Sequence, residues 1–422
     1  MLDARKRQQP QVAWLAMVGL AVASGCQSPL KPPSKQHAEQ RWNQVRGRTK
    51  LQIAQQQADR GLFDEALATA SEALAMDPGQ PDAYVLAAKA QLELGNLASA
   101  ERTIQAAHAA GIQSADLTYL SGVVWEQRGD IDQALDQYRQ AHALDPKQVD
   151  YLAAEAECLV SLGRPDAALS LLEESIHSFD QDATVAALAA RTALFLNKTE
   201  AAIRWYRIAS ARLPDNRVLA EELGLLLARS GRCDEAVPLL RPLVDANRQA
   251  LGGGPCRALA ACYLTADDPI SAGAVLTAHL ADHPDDAAAQ LLAAQSAIAL
   301  GDVLTAARAL HHAELHGAPR STTLFLRGVL EWRRGKPSQA SVALEQALSL
   351  DPTNPEASSL LGVVRAELGD REGAAEAFER ALYLSPANPL ARHGLASLLL
   401  LPEPSTGGEP AAADKTLSSA GL

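Results

Sequence analysis

Residues 115–148 read ADLTYLSGVVWEQRGDIDQALDQYRQAHALDPKQ. Two small residues, Gly122 and Ala134, lie on either side of Gly129, and the larger Tyr138 follows Ala134 by four positions. A glycine just after an apolar helical segment suits the left-handed backbone that ends many helices. Small residues let two helix backbones approach closely. The stretch therefore predicts two helices that are joined by a tight turn and packed against each other.

The same pattern recurs along the chain every 34 residues, with a single interval of 36. The small residues of the first helices are Ala54, Ala88, Gly122, Ala156, Ala190, Gly224, Ala260, Ala294, Gly328 and Gly362. The turn residues are Gly61, Gly95, Gly129, Gly163, Asn197, Gly231, Asp267, Gly301, Gly335 and Gly369. The small residues of the second helices are Ala66, Ala100, Ala134, Ala168, Ala202, Ala236, Ala272, Ala306, Ala340 and Ala374. An alanine-rich chain gives some matches by chance, but three classes of position in register through ten copies indicate a repeat.

Two further classes of residue follow the same register. Large apolar residues recur four positions after the second small residue, at Tyr138, Leu172, Tyr206, Leu240, Leu276, Leu310, Leu344 and Phe378. Prolines end the second helices, where they block continuation, at Pro78, Pro146, Pro214, Pro284, Pro352 and Pro386.

A 34-residue helix-turn-helix with these features resembles the tetratricopeptide repeat. The segments DPGQPDAY, LDPKQVDY, DPTNPEAS and SPANPLAR are close to the junction sequences of that family. The resemblance covers repeats 1–6 over residues 47–250, repeats 7–10 over 251–388, and a capping helix over 389–401. It implies an all-α, right-handed α-solenoid of about ten repeats, whose concave channel is lined by the first helices. No single repeat can bury its own apolar face, so stacked neighbours have to share one continuous core.

The composition argues against several classes of function. The 422 residues carry a net charge of −12 and show no basic stripe, so we expect no nucleic-acid partner. Neither a nucleophile elbow, a Walker A loop, a dinucleotide glycine loop nor a zinc-protease motif is present. Almost every residue is assigned to the repeats, which leaves no stretch for an enzyme domain. We therefore predict a protein that is not an enzyme and that uses no cofactor or metal.

The first 26 residues resemble a bacterial lipoprotein signal. Arg5 to Arg7 are basic, Val12 to Ala23 form an apolar segment, and Ala23 to Cys26 read ASGC. The resemblance implies a signal peptide over 1–25, cleavage before Cys26, and a lipid anchor on that cysteine. Gln27 stands where an inner-membrane retention signal has Asp, which implies the outer membrane, facing the periplasm. Leu is commoner than Ala23 at its place, and an ordinary signal peptide is the alternative.

Composition also predicts two flexible segments at the ends of the mature chain. Residues 26–46 contain Pro29, Pro32 and Pro33 among polar residues, and we expect a flexible tether there. Residues 402–422 read PEPSTGGEPAAADKTLSSAGL, and we expect a disordered tail.

The middle of the chain contains a break in the pattern. The two extra residues lie in LGGGP, Leu251 to Pro255, and Pro238 and Pro242 fall inside the second helix of repeat 6. An interior proline costs about 3 kcal/mol in helix propensity, so we expect a kinked or irregular segment. It is either a hinge between repeats 6 and 7 or a fixed local distortion.

The family template gives candidate residues for partner binding on the concave face. Aromatic residues and arginine dominate binding hot spots. We expect a peptide to lay apolar side chains on Phe325 and Trp332 while Arg333 pairs with a carboxylate. The alternative is that the candidates are scattered surface side chains. The full set is Tyr119, Glu126, Arg191, Phe195, Arg229, Arg257, Phe325, Trp332 and Arg333.

The spacing of histidines and cysteines raises two further possibilities, a metal site and a disulfide. His279 with His283, and His312 with His316, have the i,i+4 spacing of metal ligands, but no third ligand is fixed by the sequence. We therefore expect helix-end and surface histidines. Antiparallel packing brings Cys233 near Cys262, and a disulfide between them is possible in an oxidising compartment; buried free thiols are the alternative.

These observations lead to two hypotheses about function. The first is a lipid-anchored periplasmic scaffold that binds a protein or peptide in its channel and assists assembly of an envelope complex, such as pilus, secretion or export machinery. The second is a substrate-recognition subunit of a peptidoglycan-, polysaccharide- or protease-handling enzyme complex.

Overall fold

A computed structural model describes residues 35–179, 182–246 and 253–400. These ranges contain 21 α-helices and no β-strand. The helices are α1 (Lys35–Asp59), α2 (Phe63–Met76), α3 (Pro81–Glu93), α4 (Leu97–Ala109), α5 (Ala115–Gln127), α6 (Ile131–Leu144), α7 (Val149–Ser161), α8 (Pro165–Ser175), α9 (Ala183–Phe195), α10 (Thr199–Arg212), α11 (Arg217–Arg229), α12 (Cys233–Ala246), α13 (Gly253–Thr265), α14 (Pro269–Asp282), α15 (Ala287–Ala299), α16 (Val303–Leu315), α17 (Arg320–Arg333), α18 (Pro337–Leu350), α19 (Pro355–Glu367), α20 (Arg371–Leu384) and α21 (Pro389–Leu400). A short 3-10 helix, Ile176–Phe179, extends α8.

The helices form two compact units, and the division falls within α5, between Leu120 and Ser121. In both units consecutive helices pack against each other, as α1 does with α2 and α17 with α18. Because the connections are short, consecutive helices run antiparallel. The chain is an all-α solenoid of helix-turn-helix repeats, as the sequence predicted.

The turn inside each repeat has a left-handed residue at the predicted position. Gly129 has φ 83°, and the two non-glycine turn residues, Asn197 and Asp267, have φ 56° and 58°. In repeat 3 the N–H of Gly129 donates to the Glu126 carbonyl at 2.8 Å, and the N–H of Asp130 donates to the Trp125 carbonyl at 3.0 Å. This pair of bonds satisfies the last carbonyls of the first helix.

The predicted small and large positions form the core. Alanines at the second-helix small position, such as Ala134 and Ala340, are fully buried. The large residue four positions later is buried as well, with Tyr138 1 % and Phe378 1 % exposed. Small residues at the crossing points keep the two helices of a repeat close enough for these large side chains to fill the space between them.

The segment around Pro238 and Pro242, predicted to be kinked or irregular, is a continuous helix, because α12 runs unbroken through both residues, and a kink there stays a prediction. The two prolines are four positions apart and both are exposed. They therefore lie on the solvent side of the helix, where water can bind the carbonyl groups that lose a backbone donor. Residues 247–252, which include the start of the predicted hinge, lie outside the described residues.

The prediction of a flexible tether over 26–46 was wrong in its second half, which is helical because α1 begins at Lys35. The stretch after Pro33 is rich in Gln, Lys, Arg and Ala, all good helix formers, and it contains no proline. The signal segment, Cys26 and the predicted tail lie outside the described residues. No helix in the described part combines the length and the apolar character that crossing a bilayer requires.

Candidate protein-binding groove

Three successive first helices in the second unit, α13, α15 and α17, line an open groove with a cavity volume of about 70 Å³. We call it the α13–α15–α17 groove. The residues that line it are Leu264, Asp267, Pro269, Gln295, Ile298, Ala299, Phe325, Leu326, Val329 and Arg333. Its walls are mostly apolar, and one acidic and one basic side chain lie on it.

The floor of the groove belongs to the hydrophobic core. Ile298, Leu326 and Val329 are 4–5 % exposed and pack in one buried cluster that continues into α18 and α19. Phe325 is half-buried against the same cluster and faces the groove. Because the floor is fixed by core packing, the shape of the groove is set before any partner arrives.

Arg333 supplies the positive charge of the groove. Its Nη1 donates to the Ile298 carbonyl at 3.4 Å, and within the described residues it forms no salt bridge. The side chain is exposed. The guanidinium therefore keeps most of its donors available to a carboxylate of a partner.

The structure separates Trp332 from the pair that the sequence grouped with it. Phe325 and Arg333 both line the groove, but Trp332 does not. The Trp332 indole N–H instead donates to the Glu367 carboxylate on α19 at 3.0 Å, and the ring is half-buried. This side chain links repeats 9 and 10, and its role in binding a partner stays a prediction.

Arg257 belongs to a polar network between α13 and the start of α15. Its guanidinium forms an ion pair with Asp286, which also accepts from His279 Nε2 at 2.9 Å and from the backbone N–H of Ala289 at 3.0 Å. Burial raises the pKa of Asp286, but the bonds from His279, Ala289 and Arg257 together hold it below its usual value. Arg257 thus joins α13 to the start of α15 through a structural contact, and it does not line the groove.

His279 corrects the expectation of surface histidines, since it is only 1 % exposed. Its Nε2 forms a hydrogen bond with the Asp286 carboxylate. The centroids of the His279 and His283 rings lie 4.9 Å apart. The sequence register places His279 at a usually small position, where a large polar ring needs a buried partner. Across the described ranges, no group of three or more potential ligands could hold a metal ion.

Other candidates lie on the first helices of repeats 3 to 6. Glu126 on α5 accepts a hydrogen bond from the Tyr138 hydroxyl at 2.5 Å. Arg191 on α9 forms an ion pair with Glu222 on α11, with 2.9 Å between Nη2 and Oε1. Burial, and then the nearby Glu222 carboxylate, raise the pKa of Tyr206 to about 12. The Glu126–Tyr138 bond joins the two helices of repeat 3, whereas the Arg191–Glu222 pair ties repeats 5 and 6 together, and none of these residues lines the groove.

The remaining candidates are dispersed. Phe195 is 65 % exposed at the end of α9. Arg229 is exposed at the end of α11, and Tyr119 is half-buried in the first unit. The structure therefore brings two of the predicted residues, Phe325 and Arg333, into one site.

Sequence reasoning missed the apolar wall of the groove. Leu264, Ile298 and Trp332 each stand three residues before the turn residue of their repeat, so the 34-residue register contained the signal. Reading that position together with the Phe325 position, which holds Leu291 in repeat 8 and Arg257 in repeat 7, predicts an apolar face over repeats 8 and 9 that Leu264 extends into repeat 7.

A disulfide joins Cys233, at the start of α12, to Cys262 on α13, with 5.1 Å between the Cα atoms. It links repeats 6 and 7, and Cys262 is two residues from Leu264 in the groove wall. Cys158 and Cys256 are buried.

Comparisons with known proteins agree with this architecture. Tetratricopeptide repeat family models match residues 57–117, 127–192 and 325–389. No curated protein matches the chain.

Several solved structures are similar. The APC/C hetero-tetramer Cut9-Hcn1 aligns at 17 % identity and a TM-score of 0.45, covering 88 % of this chain and 78 % of that one. A tetratricopeptide repeat protein of Parabacteroides merdae aligns at 15 % identity and 0.40, covering 60 % and 99 %. A thermophilic TPR protein of Thermus thermophilus aligns at 25 % identity and 0.39, covering 44 % and 100 %.

Tetratricopeptide repeats are protein–protein interaction scaffolds. Ten helix pairs in register, left-handed turn residues at the predicted places and matching family models in both units agree on one assignment. The chain is a tetratricopeptide repeat protein.

Proposed function

We propose that this protein is a scaffold that binds a segment of a partner protein in the α13–α15–α17 groove. The observation that carries the proposal is the combination of a preformed apolar floor with the unpaired guanidinium of Arg333 at its side. An apolar concave surface with a few oriented polar groups is the usual composition of a binding site.

The chemistry of the groove defines what would fit it. Phe325 and the floor around Val329 offer contact to aliphatic or aromatic side chains. Arg333 offers charge-assisted hydrogen bonds to a carboxylate. We therefore expect a partner segment in which a large apolar side chain stands close to Asp or Glu.

The size of the groove favours a segment over a globular surface. Its cavity volume of about 70 Å³ leaves room for an inserted side chain and is small beside the roughly 300–1,000 Å³ of a small-molecule site. The partner would thus insert a helix or an extended stretch, and binding would be strongest for a segment that is already ordered.

Crosslinking tests this proposal directly. A photo-reactive amino acid at Gln295, which lines the groove, is expected to crosslink one discrete partner in the native envelope. The same amino acid at the exposed Glu379 on α20 serves as the control. Loss of the Gln295 product in a Phe325→Ala, Arg333→Ala variant would support the groove; equal products at Gln295 and Glu379 would refute it.

We further propose that the scaffold is anchored by lipid at Cys26 to the outer membrane, faces the periplasm, and assists assembly of an envelope complex such as pilus, secretion or export machinery. The support is the sequence around Ala23 to Cys26. Metabolic labelling with an alkyne fatty acid is expected to label the chain, and Cys26→Ala should remove both the label and membrane association. Retention of the label in that variant would overturn the anchor.

A further inference from the structure

The second residue of the second helix is acidic in most repeats of the second unit. An acidic side chain in the first turn of a helix is stabilised by the positive end of the helix dipole, so this recurrence has a structural cause. The residues are Asp132, Asp166, Glu200, Asp234 and Glu372. Repeats 7 to 9 depart from the rule: this position holds Ile270 in α14, Leu304 in α16 and the polar Ser338 in α18.

The two substituted residues are unusually accessible. Leu304 is 76 % exposed and Ile270 is 71 % exposed, the highest values of any Leu, Ile or Val in the described part of the chain. Leu300, in the turn just before α16, is 52 % exposed. Neither Ile270 nor Leu304 contributes to the core, so folding does not account for an apolar residue where an acidic one is favoured.

We call these three residues the apolar edge, and two of them, Ile270 and Leu300, directly follow residues that line the α13–α15–α17 groove. Pro269, which directly precedes Ile270, lines the groove, as does Ala299, which directly precedes Leu300. The apolar surface thus continues out of the groove over the turns of repeats 7 and 8. All three repeats that form the groove lack the acidic residue, and in two of them an apolar residue replaces it.

Carboxylates surround the apolar edge. Asp267, Asp268 and Asp302 stand in the same two turns, and none forms a salt bridge with another described residue. Asp268 and Asp302 accept from the backbone of Ser271 at 3.0 Å and of Thr305 at 3.1 Å. Bonds from Ser271 and from Thr305 lower the pKa of the two carboxyls, so both are ionised at neutral pH. Arg308 lies near Asp302, where it donates to the Thr305 hydroxyl.

The charges along this surface are polarised. Arg333 stands on α17, at one side of the groove, and the aspartates stand at the turns beside α14 and α16. A segment that crosses both parts would meet a positive group at one end and negative groups at the other. Charge complementarity therefore fixes the direction in which a partner would lie.

We propose that the apolar edge and the groove together bind one amphipathic helix of a protein partner, with its acidic end at Arg333 and its basic end at Asp267, Asp268 and Asp302. The inference rests on the proposed function and adds the chemistry and direction of the bound segment. A helix presents a continuous apolar stripe along one face, and three turns of it span about 16 Å. Ile270, Leu300 and Leu304 would contact the part of the stripe that leaves the groove.

Selection of peptides tests this inference. Random 20-residue peptides displayed on phage are selected on the full chain, and the enriched peptides are synthesised with a fluorescent label. Their affinity is then measured by anisotropy for the unaltered chain, for the groove variant Phe325→Ala, Arg333→Ala, and for the edge variant Ile270→Asp, Leu304→Asp. The edge variant restores the acidic class found in most repeats of the second unit, so it should keep the fold. Ser338→Asp, at the same position of repeat 9, is the matched control.

We expect enriched peptides to be amphipathic, with Asp or Glu near one end and Lys or Arg near the other. The edge variant should bind them at least about tenfold more weakly, because two apolar contacts are replaced by charges. The control variant should bind them as the unaltered chain does. Peptides that need the groove but bind the edge variant with unchanged affinity would overturn the inference and leave the proposed function intact. A failure to select any groove-dependent peptide would overturn both.

Discussion

Gly122 on α5 lies directly against the ring of Tyr138 on α6, so that a Cβ atom at position 122 would come within 2.5 Å of Tyr138 Cε1. The small residue of a first helix and the large residue of the following second helix therefore form one packing contact. The same arrangement recurs at Gly224 with Leu240, Gly328 with Leu344 and Gly362 with Phe378. It explains why the two classes of residue hold a common register along the chain.

Gly122→Ala is expected to destabilise the second unit by about 1–3 kcal/mol, because overpacking a tight contact forces the neighbouring side chain or backbone to move. The Tyr138 ring cannot shift freely, since its hydroxyl is bonded to Glu126. Urea unfolding followed by circular dichroism measures the effect. Gly254→Ala is the control, because a Cβ atom there meets nothing within 4 Å. Equal stability of the two variants would contradict the packing contact.

Removal of the Cys233–Cys262 disulfide is expected to lower the free energy of unfolding by about 2–4 kcal/mol, as for a closed loop of moderate length. Thermal melting of Cys233→Ser, Cys262→Ser against the unaltered chain tests this. A reducing agent should lower the melting temperature of the unaltered chain but not of the double variant. Peptide mapping that finds both thiols free in protein from an oxidising compartment would contradict the assignment.

The stability of repeats 7 and 8 is expected to depend on the ionisation of Asp286. Its pKa in the folded chain is lowered, so the folded state favours the carboxylate. The stabilisation is therefore complete above the unfolded-state pKa of about 3.9 and is lost as the pH falls through the folded-state value. Asp286→Asn should lower the melting temperature at pH 7, and the difference from the unaltered chain should shrink in acid.

The matched control for that experiment is Asp282→Asn, on the exposed end of α14. This variant should melt like the unaltered chain at both pH values. A constant difference between Asp286→Asn and the unaltered chain from pH 7 to strongly acidic pH would show that the carboxylate charge is not the stabilising element.

Arg333→Ala is expected to weaken capture of the partner by about tenfold, which corresponds to the loss of one charge-assisted contact. Arg334→Ala is the control, because Arg334 is one residue further along, exposed, and already paired with Glu331 at 2.7 Å. Pull-down with the crosslinked partner, or anisotropy with selected peptides, measures both. If the two variants bind equally well, Arg333 has no part in recognition.

The fold was predictable because its signals are local and repeated. Gly129 and Asn197 mark turns through backbone conformation, and that requirement acts on each residue separately. The course of α12 was not predictable from propensity, because the cost of Pro238 and Pro242 depends on which side of the helix faces water. The helix at Lys35 was missed for a similar reason, since charged and amide-rich composition describes both a tether and an exposed helix.

The site was predictable only in part. Phe325 and Arg333 were found from the family template, whereas the direction of Trp332 depends on Glu367, which lies 35 residues away in the next repeat. Arg257 was expected to be available to a partner, but its contact with Asp286 arises from the packing of three helices. Such contacts between neighbouring repeats are set by tertiary geometry and leave no single periodic signal.

The most direct test of the account is hydrogen–deuterium exchange of the full chain with and without a saturating selected peptide. We predict that bound peptide slows exchange in α13, α15 and α17, most clearly around Ile298 and Val329, and leaves α18 and α20 unchanged. Protection that is confined to the second helices, or spread evenly over all ten repeats, would contradict binding in the α13–α15–α17 groove.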